Sequence, residues 1–396
     1  MFYLVIFFIL LVFSVLEISK LNGISHKILI IISWLMLVLI AGLRYETGGD
    51  WEIYTPIFEK INPIYQVLTG KGFGYDGMEV GFLFFCSIIK QFGGSIQTVY
   101  FLITLFNITL IIIGLRKYTK YIIVGLFVYY CILYFMLDML YTRQSVVVAI
   151  IFYSMYCVKE KRTLRFFVLI TVAILIHRMA LIMIPLYFIL NRNFQTVTLL
   201  SVVLVGCALM FFNILWIKNI FVGISVYLGE EFYRRALLYV SIDKFAVVRS
   251  ISIGFFLNFI LFSVILFYRR KIEMFKMGNI FINLFIINLL VYYYLYELIE
   301  VSNRFRWMFF ISLIVLFPYF IEIFEKAINK IVVFLGIALY SFAFNIPVFL
   351  EQESASGYNP YQNYLIYKYL DKKSTGKERL EISKKKFIEQ REKQKK

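Results

Sequence analysis

The sequence predicts an all-α polytopic integral membrane protein. Three observations carry that reading. Of the 396 residues, 61% are hydrophobic and only 16% charged, against about 45–50% and about 25% in a soluble domain. Mean hydropathy is +0.81. The apolar residues also fall in runs near membrane length, roughly 17–25 residues. One soluble core cannot hide so much apolar chain. A soluble globular enzyme, a disordered protein and a coiled coil are therefore excluded.

In chain order the predicted spans are about Phe2–Ile18, Ile28–Leu43, Val99–Leu115, Tyr121–Leu137, Ser145–Val158 and Leu164–Ile176. They continue with Ala180–Leu190, Val197–Trp216, Ile251–Tyr268, Ile280–Tyr296, Trp307–Phe324 and Ile331–Leu350. The first lacks a basic start and a small-residue cleavage site, so it reads as a retained helix. The two short runs around His177 are two tilted crossings or one interrupted helix. Val80 to Phe92 is too short to span and contains Lys90, so it reads as interfacial or re-entrant. The expected total is about 11–13 transmembrane helices.

Charge sets the expected sidedness. The formal net charge is +17. In a soluble protein that would point to nucleic acid. Here cytoplasmic retention of positive loops explains much of it, and no nucleic-acid partner is expected. The linkers around Arg116, Lys159, Arg192 and Arg269 are short and basic, hence cytoplasmic. Alternation then places three loops outside: about 44–98, 217–250 and 297–306. Residues 1–350 thus form a polytopic membrane domain whose extracytoplasmic loops bear short helices. Residues 351–370 form an extracytoplasmic segment after the last helix. Residues 371–396 carry 11 Lys or Arg against 5 Asp or Glu, which reads as a basic, flexible tail, solvated and partly disordered or helical. The many Phe and Tyr suit lipid-facing surfaces and interfacial belts.

Cys86, Cys131, Cys157 and Cys207 each sit in an apolar run without metal-ligand spacing. They read as small buried hydrophobes. With only two histidines, no metal site and no cofactor are expected.

Four segments could carry chemistry. In Gly42 to Tyr54, paired glycines permit a tight backbone path. Arg44 there can grip phosphate, Asp50 adds a carboxylate, and Trp51 and Tyr54 offer stacking faces. The plainer reading is an interfacial anchor. Asp138 and Arg143 lie between two helices, either as a structural ion pair or with Arg143 on a pyrophosphate. His177 interrupts two short helices beside Arg178, and histidine titrates where proton transfer needs it. Glu297, Glu300 and Arg304 share a helical face as a self-contained network, or Arg304 and Arg306 serve an anionic ligand. Outward arginines run against the positive-inside bias, and a lipid-linked phosphate donor would account for them.

With these residues the sequence resembles the Wzy-like polysaccharide polymerases, in their EpsG branch. The resemblance rests on Arg44…Gly48…Asp50…Tyr54, Arg143-Gln144, His177 with the apolar run to Pro185, the Arg304–Arg306 segment with Pro318, and Tyr358-Asn359-Pro360-Tyr361. It covers about Met1 to Leu370. Relatives often have a small residue soon after the histidine, whereas Arg178 and Met179 follow here. The resemblance implies a glycosyltransferase of GT-C-like architecture in the bacterial plasma (inner) membrane. Its substrates would be undecaprenyl-pyrophosphate-linked oligosaccharide units, as donor and acceptor, joined on the outer side for O-antigen, capsule or exopolysaccharide. A chain-length regulator and a flippase would be its neighbours. The implied roles are His177, Asp50 and Arg143 in catalysis, with His177 or Asp50 as general base. Arg44, Arg143, Arg304 and Arg306 would bind pyrophosphate, and Trp51, Tyr54 and Tyr361 sugar. Sugar specificity would reside in outer loops, above all near Glu230, Glu231, Arg234 and Arg235. Two alternatives are a flippase for the same lipid-linked sugars and a membrane O-acyltransferase. Charges gathered at one rim, and the absence of inverted repeats, weigh against transport.

Overall fold

The structure is a computed structural model that describes residues 1–19, 23–227, 229–230, 233–234, 237 and 248–395. Glu231, Arg235 and much of the 217–250 loop lie outside the described residues.

Among the described residues the chain is helical, with one isolated antiparallel bridge between Arg44 and Asn363. The longer helices run in chain order: α1 (Phe2–Ile18), α2 (Ile24–Gly42), α3 (Trp51–Lys60), α4 (Val80–Gln91), α5 (Ile96–Tyr118), α6 (Ile122–Leu137), α7 (Thr142–Lys159) and α8 (Thr163–Ile176). They continue with α9 (Met183–Leu190), α10 (Thr196–Phe211), α11 (Ile217–Tyr227), α12 (Ile253–Glu273), α13 (Gly278–Tyr294), α14 (Ile299–Phe310), α15 (Leu313–Glu322), α16 (Ala327–Phe344), α17 (Tyr364–Tyr369) and α18 (Gly376–Lys395). Four of them, α2, α5, α12 and α16, are long and apolar enough to cross a membrane. The consecutive α14 and α15 make a fifth, bent candidate, and seven more apolar helical stretches, with α9 counted from Arg178, have 10–17 residues. The chain is a polytopic membrane protein.

Backbone groups in apolar surroundings must find partners within the protein. At helix N-termini, where N–H groups are free, acidic side chains remote in sequence supply them. Glu17 accepts from the N–H of Ile123 and Val124 at 3.0 Å, at the start of α6. Asp50 accepts from Thr142 N–H at 2.9 Å, at the start of α7. Glu297 accepts from Trp216, Ile217 and Lys218 N–H at 2.6–3.3 Å, at the start of α11. Carboxylates at positive helix ends are stabilised by the dipole as well. This corrects the reading of Glu297 as a member of an Arg304 network: it precedes α14 and serves another helix. The 297–306 stretch is itself largely helical, because polar residues lower hydropathy without ending a helix.

Many tyrosines are buried rather than arranged in belts. Tyr130 donates to Tyr3 O at 2.7 Å, Tyr134 to Leu37 O at 2.6 Å and Tyr319 to Tyr118 O at 2.8 Å. Each ring fills space between helices while its hydroxyl finds a carbonyl.

The contacts divide the chain into two units, residues 1–186 with 314–396 and residues 187–313. In the first, α6 is buried all round. A π-turn at Tyr130–Tyr134 loosens its ladder, and Asn345 donates to Cys131 O there at 2.6 Å. Residues 43–48 pair with residues 357–364. Tyr45 N–H meets Gln362 O at 2.8 Å, Tyr364 N–H meets Leu43 O at 2.8 Å, and Gly48 N–H meets Gly357 O at 2.9 Å. In the second unit α13 packs on α10, α12 and α14, with Asn283 donating to Leu190 O and Arg192 O at 2.8 Å.

Candidate functional site

The first unit brings together a loop, a helix start and a helix break. Gly48 has φ +88°, and a Cβ there would stand 2.0 Å from Met139 O. Gly49 would press a Cβ to 2.6 Å from a Leu140 methyl. Only glycine lets the 44–50 loop lie this close under the turn before α7. The contact carries Asp50 to Thr142 and places it beside Arg143. Asp50 is partly buried, and burial pushes its carboxyl from an ordinary 3.8 up to about 6. The Thr142 N–H, Arg44 and Arg143 oppose that rise.

Arg143 stands on the first turn of α7. Its Nε donates to Tyr54 Oη at 2.9 Å, and its Nη1 pairs with Glu79 Oε2. The guanidinium lies 5.8 Å from the ring centres of Tyr54 and Phe82. Glu79 Oε1 accepts from Arg178 N–H at 3.2 Å and lies 3.9 Å from His177 Nδ1. Burial raises the Glu79 carboxyl, but Arg143, backbone N–H groups and His177 hold it net below the usual carboxylate range. His177 ends α8 with extended backbone, and its Nδ1 accepts from Met179 N–H at 3.3 Å. An accepting Nδ1 leaves the neutral ring's proton on Nε2. Glu79 thus competes with Met179 for the same nitrogen.

Arg44 is 2% exposed. It donates to Ala41 O at 2.7 Å and Thr142 Oγ1 at 3.2 Å, and lies 4.3 Å over Tyr100. It braces the loop against α7 from within the protein. Asp138 does not pair with Arg143. It is buried and accepts from Asn107 at 2.9 Å and Tyr129 at 2.6 Å.

The other expected residues sit elsewhere. Trp51 is buried. Tyr361 stacks on Phe2 at 4.6 Å and donates to Ile40 O at 3.0 Å. Arg304 and Arg306 belong to the second unit, on α14. There Arg306 and Arg249 each lie 4.4 Å from the Tyr292 ring centre, and Arg249 donates to Asn303 at 2.6 Å. Sequence reasoning missed Glu79 and Arg249. Glu79 immediately precedes a short apolar run that draws attention away from it. Arg249 opens the α12 span as one more basic loop residue.

Beside the polar cluster lies an apolar cavity of about 390 Å³. Phe82, Phe85, Phe106, Val146, Ile150 and Ile176 line it. Phe82 is the ring under Arg143, Val146 follows Arg143 by one helical turn, and Ile176 precedes His177.

The fold and this cluster define a polytopic membrane protein with an arginine-centred polar site next to an apolar chamber. The chain belongs to the EpsG family, whose model matches residues 27–363. That membership sets it among membrane proteins of polysaccharide biosynthesis. No curated protein and no solved structure matches it.

Proposed function

We propose that the protein is a polysaccharide polymerase. It joins undecaprenyl-pyrophosphate-linked oligosaccharide units on the outer side of the bacterial plasma membrane, for O-antigen, capsule or exopolysaccharide. The observation that carries this is Arg143, held by Glu79 and Tyr54 at the edge of the apolar cavity. An anionic group on an isoprenoid chain suits that pairing of guanidinium and chamber.

In the transfer, the acceptor hydroxyl oxygen bonds to the donor's anomeric carbon. The bond from that carbon to the pyrophosphate oxygen breaks, and the lipid pyrophosphate leaves with the electron pair. Arg143 stabilises the charge that develops on it. Donor pyrophosphate displaces Glu79 from Arg143. Glu79 then favours the His177 tautomer that carries its one proton on Nδ1, the Nε2 proton having exchanged through solvent, and the unprotonated Nε2 accepts the acceptor's proton. Asp50 fixes the start of α7, Arg44 braces it, and Tyr54 steers the guanidinium. Trp51 and Tyr361 shape the sugar side.

The test is glycan length in a deletion strain, complemented with wild type, Glu79→Gln or Arg143→Ala. Single units at the surface of the deletion strain, a full ladder with wild type, and single units with either variant support the reading. Units stranded inside the cell would make the protein a flippase. Lost acyl groups at full length would make it an acyltransferase. A full ladder from Arg143→Ala would refute the donor site.

A further inference from the structure

The basic C-terminal stretch is a docked helix. α18 lies beyond the family-matched residues 27–363, yet it is tied to the loop that bears Arg44 and Asp50. Arg379 is 5% exposed among lysines that face solvent. Its Nη1 donates to Pro360 O at 2.7 Å and its Nη2 to Glu46 O at 3.0 Å. Ser356 donates to Arg379 O at 2.7 Å, and Ser383 to Ser354 O at 2.8 Å. Lys384 meets Glu52 at 2.5 Å.

The contact point is a strained one. Glu46 has φ +45° without being glycine, a conformation that persists only where neighbours over-determine it. At Gly376 a Cβ would stand 2.4 Å from the Glu46 Cβ, so helix and loop meet there without a spare atom. The bond from Arg379 to Glu46 O and the bond from Gly48 N–H to Gly357 O pin the first half of the short path from Glu46 to Asp50. Burying a guanidinium against carbonyls alone is unfavourable unless it secures something.

We propose that α18 is a clamp and Arg379 a positioning residue, which fix the backbone of residues 44–50 and so the place of Asp50 against Thr142 and Arg143. Misplacing a catalytic constellation by about 1 Å slows chemistry up to about a hundredfold. The activity readout rests on the polymerase reading; the backbone readout does not.

The test uses the full chain in proteoliposomes as wild type, Arg379→Ala, Arg379→Lys, Gly376→Leu and the exposed control Lys385→Ala. Amide exchange is followed over residues 43–50 and, as a fold control, over 278–294. Polymer formation is followed from the host's lipid-linked repeat unit. Arg379→Ala and Gly376→Leu are expected to speed exchange over 43–50 about tenfold and leave 278–294 unchanged. They should lower kcat about tenfold or more with little change in KM. Arg379→Lys should recover part of kcat, and Lys385→Ala should match wild type. Unchanged exchange over 43–50 in both variants overturns the clamp. So does faster exchange with undiminished kcat in an active protein. If wild type makes no polymer, the polymerase reading fails, and exchange alone decides the clamp.

Discussion

The Nε of Arg143 donates to the Tyr54 hydroxyl at 2.9 Å across 89 residues of chain. This bond leaves the fork of the guanidinium for Glu79 in the resting state and for an anion afterwards. Arg143→Lys keeps the charge but loses the planar fork. It is expected to lower kcat/KM about a hundredfold, and Tyr54→Phe about tenfold, through orientation alone. Steady-state polymerisation of purified lipid-linked units measures both. Equal losses would show that Tyr54 does more than steer.

Asp50 links function to stability through pH. Its folded pKa, about 6, lies above the ordinary 3.8 because burial disfavours the charge. The folded state therefore holds the proton more tightly than the unfolded chain. That stabilising contribution is complete below about pH 4 and is lost as pH rises through about 6. Asn keeps an oxygen for Thr142 N–H and carries no charge. Asp50→Asn should thus be more stable than wild type at pH 7.5, by about 1–3 kcal/mol, and equal to it near pH 4. Thermal melts in detergent across that range decide it. A variant less stable at pH 7.5 would show that the carboxylate's charge is favourable in place.

Gly48→Ala probes the loop directly. The added methyl meets Met139 O at 2.0 Å and must adopt φ +88°. A loss of at least about 2 kcal/mol is expected, with Asp50 withdrawn from Thr142. Melting temperature and faster amide exchange at residues 142–145 are the readouts. An unperturbed variant would mean that loop and turn separate readily.

The cavity can be filled without touching the polar cluster. Ile150 lines it and is buried. Ile150→Phe should raise KM for a long-chain lipid-linked unit about tenfold, in line with roughly 0.8 kcal/mol per methylene displaced. A donor with a short isoprenoid chain should be affected little. If both donors suffer alike, the chain binds elsewhere.

The membrane character was legible because so many apolar runs have one explanation; of the spans read from those runs, four helices, or five with the bent pair, are long and apolar enough to cross among the described residues. Asp50, Tyr54, Arg143 and His177 were legible as candidates because each is a polar residue that interrupts or follows an apolar run, and Gly48 because paired glycines permit a tight backbone path. Partnerships were not. Glu79 meets Arg143 across 64 residues, and no local period signals that pairing. Nor can composition distinguish Arg379, buried against two carbonyls, from the exposed lysines beside it. Glu297 shows the reverse error, since its i, i+3 spacing to Glu300, and the i, i+4 step from Glu300 to Arg304, suggested a local network. A free helix N-terminus some 80 residues away claimed it instead.

The pairing of residues 43–48 with 357–364 has a consequence for biogenesis. The segment bearing Arg44 and Asp50 leaves the ribosome early, but its hydrogen-bonding partners emerge more than three hundred residues later. Helices can insert one after another in the meantime. The site loop lacks these partners until translation has passed residue 364, so a chain that ends before that point cannot form the latch.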